Sequence, residues 1–359
     1  MLSCLGDYFD RKFAKLPAGT AKDEFLALLV QIVQHQSLMV SIPVLVTWTR
    51  LLSNRLIGPG EHVSPFIPLL LETCSSRLVR FENLPEDTQD PTFLFLLEDT
   101  DTIPERHAFL GNYRRYSSQI IEAVVQLKLV DAISHILGRT EELLQHLYDG
   151  QPPLDKQSYF KHSMPVLRVD AQFTVIEATL KGYSKWRKHR PAEHQQQGPE
   201  IEANLESWCN KLLEMSFEDP MIRKRTLQLL VYFSTTALNK NATFMLKVLE
   251  HILLTWPALQ PEYRAFNDAI KDLQGESMVE LQRLASEMPD HLLVSYMKGC
   301  VKTVKTYANG FQGVYDQIEN KVNEMMSSGS LDEKRSIAYR SFLFIIMLVY
   351  RTPRPLAIC

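Results

Sequence analysis

The chain is 359 residues long, 45% hydrophobic and 23% charged, with a formal net charge of −3 at pH 7. That length suits two or three ordinary domains or one extended repeat array, and the composition excludes wholesale disorder. The slightly negative balance excludes a general nucleic-acid binder, which needs a basic surface to displace counterions from phosphates, and leaves only local basic patches open.

Helical periodicity runs through nearly the whole chain, and strand alternation is almost absent. Residues 22–35 place Phe25, Leu28, Leu29, Ile32 and Val33 on one stripe. SIPVLVTWTRLLSN, residues 41–54, carries Val44, Trp48, Leu51 and Leu52 at helical spacing with Pro43 near its start. VSPFIPLLLETCSSRLVRF, residues 63–81, reads as a third helix with prolines in its first turn.

Between Glu82 and Glu105 stand eight acids, Glu82, Glu86, Asp87, Asp90, Glu98, Asp99, Asp101 and Glu105, with no Lys or Arg among them. The apolar run FLFLL at 93–97 interrupts them, and Arg106, Arg114 and Arg115 follow Pro104. Two readings stay open. In the first, the segment folds back on a helix while its carboxylates face water or a basic partner. In the second, it is a long solvated loop whose acids pair with the three arginines. Glu98, Asp99, Asp101, Glu105, Arg106, Arg114 and Arg115 are the candidate partner-binding residues.

Ile120, Ile121, Val124 and Val125 mark the next helix, and Leu129, Ile133, Ile136 and Leu137 the one after it. A proline-rich break, DGQPPLDKQS, precedes a helix expected to begin on the capping residue Asp170. That helix ends in KGYSKWRKHR, where Lys181, Lys185, Trp186, Arg187, Lys188 and Arg190 surround Tyr183. Such a run can grip an RNA backbone while its aromatic rings stack on bases. The simpler reading is a helix end whose cations favour the negative pole of the dipole and whose Trp packs inward.

Residues 187–200, containing KHRPAEHQQQGPE, are polar and low in complexity, and form the best linker in the chain. They divide a helical segment, 1–186, from a second, 201–359. In the second segment the helices come in pairs, 201–216 with 220–237 and 242–255 with 261–274. The pairs start about 41 residues apart, inside the 40–47-residue period of HEAT and armadillo arrays. At the first inter-helix corner, Asp219 is placed to cap, Pro220 to occupy the first turn, Ile222 to face the partner helix and Arg223 to bond neighbouring turns. Asp-Pro-x-Ile-Arg at such a corner resembles the HEAT-repeat signature. The expected fold is all-α, an α-α superhelix of the HEAT/armadillo type, because each hairpin has more apolar surface than one neighbour covers. Neither end carries an obviously polar terminal repeat, so the chain reads as a piece of something longer.

Catalytic patterns are missing. There is no phosphate-binding Gly-x-x-x-x-Gly-Lys-Ser/Thr loop, no Gly-x-Ser-x-Gly elbow and no His-Glu-x-x-His zinc helix, and the closest histidines, His189 and His194, fall in or beside the linker. No enzyme activity, cofactor or metal is expected. Five cysteines, Cys4, Cys74, Cys209, Cys300 and Cys359, stand far apart and read as buried thiols in a reducing compartment. The opening MLSCLGDYFDRKF lacks the apolar core of a secretory signal. FLFIIMLVY at 342–350 is too short for a membrane span, which takes about 20 residues. No membrane partner is expected.

The stretch LPEDTQDPTFLFLLEDTDTIPERHAFLGNYRRYSSQIIEAVVQ resembles the corresponding segment of the exportin-5 family of karyopherins, importin-β-like nuclear transport receptors. ELQRLASEMPDHLL and the paired helices around it are similar, more loosely, to later repeats of those receptors. The resemblance implies a nuclear export receptor that binds cargo proteins, and in some members double-stranded RNA, together with Ran in its GTP form. It also implies contact with nucleoporins and shuttling between nucleus and cytoplasm through nuclear pores. Ran-contact residues are assigned to no position, because the family's amino-terminal arch has no counterpart in this chain. A HEAT-repeat scaffold unrelated to transport is the alternative. VSYMKGCVKTVKTYANGFQG, residues 294–313, interrupts a run that regains helical spacing when HLL is joined to VYDQIENKV. Together with the tail LVYRTPRPLAIC it reads as translated intron or a faulty gene model. Its retention in the mature transcript would refute that.

Overall fold

A computed structural model describes residues 8, 10–17, 19–85, 87–189, 197–288, 320, 324 and 327. The insertion proposed at 294–313, the tail, the apolar run at 342–350, Glu86, Arg190, His194, Cys4, Cys300 and Cys359 lie outside the described residues. What is described is helical, with no strand among the described residues. The helices are α1 (Lys22–Val33), α2 (Leu38–Ser53), α3 (Ile67–Ser76), α4 (Pro91–Asp99), α5 (Ile103–Leu127) and α6 (Leu129–Gln145). Then follow α7 (Met164–His189), α8 (Gln197–Glu214), α9 (Pro220–Thr235), α10 (Ala242–Leu254) and α11 (Arg264–Glu287).

They stack in two rows in chain order. Helices α2, α5, α7, α9 and α11 pack side by side, and α1, α3, α6, α8 and α10 lie against them. This is an all-α solenoid, and one hydrophobic core runs from Leu26 through Met288. Helix α7 is the clearest case of a helix covered on several sides: Val166, Val169, Phe173, Ile176, Leu180 and Tyr183 are all buried, against α5 on one flank and α9 on the other. Cys74 and Cys209 are free and buried. Burial pushes the Cys74 thiol up to about 12, so it acts as a small apolar side chain. No described helix is long and apolar enough to cross a membrane.

Four sequence expectations are corrected here. First, α1 buries Leu26, Leu29, Val30 and Val33, whereas Leu28 is 56% exposed. Apolar residues occupy nearly every direction around that helix, so periodicity cannot choose a face, and contact with α2 and α3 chooses it. Second, α2 begins on the cap Ser37, whose hydroxyl accepts from the Val40 amide, so Pro43 stands within the helix and not at its start. Third, Asp170 caps nothing. Helix α7 starts at Met164, and Asp170 is a buried interior residue ion-paired to Arg80 and Arg225. Fourth, the helix marked by Ile120 begins 17 residues earlier, at Ile103, so the arginine segment itself is helical. Thr102 caps it by accepting from the Glu105 amide, and Glu105 reaches back to the Asp101 amide, a near capping box.

Three arginines join neighbouring hairpins by one device. Arg77 donates to the carbonyls of Val33 and Gln34 at the end of α1, both at 2.7 Å. Arg187 donates to Thr236 and Ala237 beyond α9, both at 3.1 Å. Arg223 donates to the Thr255 carbonyl beyond α10. A helix leaves its last carbonyls unpaired and carries partial negative charge there, so a guanidinium from an adjacent element satisfies both. Asp219 caps α9 through the amides of Met221 and Ile222, and Ile222 is fully buried, as expected for the corner. The loop before α7 reaches the same corner, where Tyr159 donates to Asp219 at 2.8 Å and its ring meets Phe266 edge-on.

One buried acid in this stack responds to pH. Glu280 on α11 is 5% exposed. Burial pushes its carboxyl up to about 7, the Glu276 and Glu177 charges add to the rise, and Arg283, 3.9 Å away, only partly opposes it. The folded state therefore holds this proton more tightly than the unfolded chain does. The resulting stability is complete below the ordinary value of 4.5 and is lost as pH rises through about 7. Glu280→Gln should match the parent at pH 5 and exceed it by roughly 2–3 kcal/mol at pH 8 in urea unfolding. A stability difference that stays constant between the two pH values would refute this.

Candidate partner-binding groove

Between α5 and α7, and floored by the turn after α3, lies a groove of about 620 Å³. Leu78 and Arg80 line it from the turn; Gly111, Arg114, Arg115, Ser118, Gln119 and Glu122 from α5; Asp170, Thr174, Lys181 and Lys185 from α7. Five cations thus face two carboxylates. Helical spacing explains the alignment: Arg115, Gln119 and Glu122 follow one face of α5, and Lys181 and Lys185 are one turn apart on α7.

Three of the cations are anchored. Arg80 Nε meets Asp170 Oδ2 at 2.7 Å, Arg114 Nη1 meets Glu82 Oε2 at 2.9 Å, and Lys185 pairs with Glu122. Burial works to lower the Arg80 pKa, but Asp170, Glu82 and Glu177 outweigh it, and Arg80 is held above its usual value. Two cations are open. Among the described residues Arg115 bonds only to Asn112 and lies over the Tyr116 ring, and Lys181 has no ion pair. The groove therefore presents a net positive wall to an anionic group, whether a phosphate or an acidic side chain. Coulomb attraction in such a half-enclosed cleft exceeds that on an open face.

The sequence candidates are distributed unevenly over this geometry. Arg114 and Arg115 line the groove together with Lys181 and Lys185, so residues from two separate candidate sets converge. Glu98 and Asp101 are exposed near α4, Asp99 accepts from the Ser37 hydroxyl at 2.7 Å, and Glu105 is engaged in capping. Arg106 donates to Thr100 and not to an acid. Trp186 is half-buried and stacks on Tyr183, with centroids 6.0 Å apart. Arg187 is committed to the carbonyls after α9 and to Glu202, while Lys188 is exposed at the helix end. Arg80 was missed in the sequence, since nothing near it marks a site; it reaches the groove through Asp170, 90 residues away.

A second, mainly apolar groove of about 750 Å³ lies between α3 and the junction of α5 with α6. Ile67, Pro68, Leu71, Val124 and Ala132 line it, with Glu72, Lys128 and His135 also among its lining residues. Among the described residues no group of three His, Cys, Asp or Glu side chains is placed to hold a metal ion.

The chain is 27% identical over 354 residues to the "Uncharacterized protein C328.01c" of Schizosaccharomyces pombe, an alignment covering 95% of this chain and 26% of that protein. It is 24% identical over 331 residues to "Protein MSN5" of Saccharomyces cerevisiae, covering 90% of this chain and 25% of that one. The chain spans about a quarter of the length of these relatives. The family model described as Exportin-5 matches residues 1–350, nearly the whole sequence, and the chain belongs to the Exportin-5 family.

Proposed function

We propose that this chain forms part of a nuclear export receptor, binding cargo proteins and structured double-stranded RNA together with Ran in its GTP form. Its site of action is the nucleus and the cytoplasm, with passage through nuclear pores between them. The observation that carries this reading is the Exportin-5 family match over residues 1–350. The solenoid supports it physically: many small rotations between stacked hairpins allow one surface to adapt to different partners without a reactive centre. The apolar groove beside α3 offers nucleoporins a place for apolar side chains, and the cationic groove offers cargo a place for anionic ones. Retention of Ran loaded with a non-hydrolysable GTP analogue by the full-length protein, and its loss with GDP, tests the reading. Indifference to the nucleotide would favour a HEAT-repeat scaffold outside transport.

The open cations give the cargo part its own measurement. Arg115→Glu combined with Lys181→Glu should weaken binding of a double-stranded RNA hairpin at least tenfold. It should also reduce the salt slope of binding by about 2, one for each lost phosphate contact. Neither residue holds the fold, so the unfolding midpoint should not move. If affinity survives, the anionic partner lies elsewhere, on Lys188 or beyond.

A further inference from the structure

Helix α4 presents a surface that the described residues leave uncovered. The helix is nine residues long, capped by Asp90, which accepts from the Phe93 amide, and it rests on α2 through buried Phe93 and Leu96. Its end is tied by the Ser37 hydroxyl to Asp99, and its middle by contact of the Phe95 ring with His35. So short a helix is marginal in water without such anchors, and these hold it in one orientation.

Away from this contact Leu94 and Leu97 are 40% and 39% exposed. Leu94, Leu97 and Glu98 are spaced i, i+3 and i+4, so they share one face. Two leucines exposed side by side forgo the gain of burial, which apolar side chains of a partner would recover. The charged residues of the segment 87–101 itself are all acidic. No cation pairs with Asp87, Glu98 or Asp101 among the described residues, and the neighbouring Arg106 is turned to Thr100.

We propose that α4 is a docking site for a basic amphipathic segment of a partner protein. The partner's apolar side chains cover Leu94 and Leu97, and its lysines or arginines meet Glu98 and Asp101. Nucleic acid and anionic lipid are repelled by the same carboxylates, so charge selects a protein segment. This surface is separate from the cationic groove and does not depend on Ran or on the transport reading.

The probe is a fluorescein-labelled 18-residue peptide of leucine and lysine, patterned as an amphipathic helix, titrated with the full chain at an ionic strength of about 0.15 M. Anisotropy should saturate. Leu94→Ser with Leu97→Ser should weaken binding at least tenfold, and so should Glu98→Lys with Asp101→Lys. A peptide with glutamate in place of lysine should not bind. All four positions are exposed, and circular dichroism of each variant checks that the helices are retained. Equal affinity of the parent and the serine variant would reduce the effect to diffuse charge attraction and overturn the proposal. Self-association of the parent that the serine variant abolishes, without peptide binding, would overturn it in favour of a second copy.

Discussion

Gly182→Val is expected to abolish cooperative unfolding of the solenoid or to lower its stability by roughly 3 kcal/mol or more. A Cβ at position 182 would lie 2.7 Å from the Glu122 carbonyl oxygen, 2.9 Å from Val125 Cβ and 3.1 Å from Glu122 Cα. Two of these three atoms are backbone atoms of α5, which cannot rotate away as a side-chain tip does. Any side chain here must therefore push α5 from α7, the most intimate pair in the stack. Even Gly182→Ala should destabilise, although alanine is the better helix former. The control is Gly138→Ala or Gly275→Ala. At both sites a Cβ meets nothing within 4 Å inside a helix, so the same substitution should stabilise by about 0.5–1 kcal/mol. Urea midpoints for the three alanine variants decide it. Destabilisation of equal size at all three would leave the close approach without energetic weight.

Arg225→Met is expected to destabilise by roughly 3 kcal/mol, the usual range for breaking a buried ion pair from one side. Arg225 Nε meets Asp170 at 2.7 Å, and its Nη1 meets Glu177 at 3.1 Å and Gln228 at 2.9 Å, joining α7 to α9. Gln228 passes the link to Glu276 on α11 at 2.7 Å, and Lys224 approaches the same carboxylate at 3.7 Å. Without the guanidinium, Asp170 retains only Arg80, and Glu177 is left half-buried without a cation. The variant Asp170→Asn with Arg225→Met should cost less than the sum of the single changes, by at least about 1 kcal/mol, because each single change strands its partner. Strict additivity in a double-mutant cycle would show that the two residues act apart. Arg225→Lys should recover little, since a point charge cannot serve Asp170, Glu177 and Gln228 at once.

The helical class, the hairpin pairing after residue 200 and the family resemblance were legible in the amino-acid sequence. Apolar spacing of three and four is a local property, and so is the cap Asp219; each is written within one or two turns of chain. After residue 200 the pairing was legible, although the helix expected over 261–274 runs from Arg264 to Glu287. Tertiary structure alone decided which face of α1 is buried, that Asp170 binds arginines instead of capping, and that Gly182 is a contact point. It also decided that Arg80, Arg115 and Lys181 share one groove. The physical reason is separation. Arg80 and Asp170 are 90 positions apart, and Glu122 and Lys185 are 63. Helical periodicity sets the direction in which each side chain points, but only the stacking of whole hairpins brings such directions to a common place.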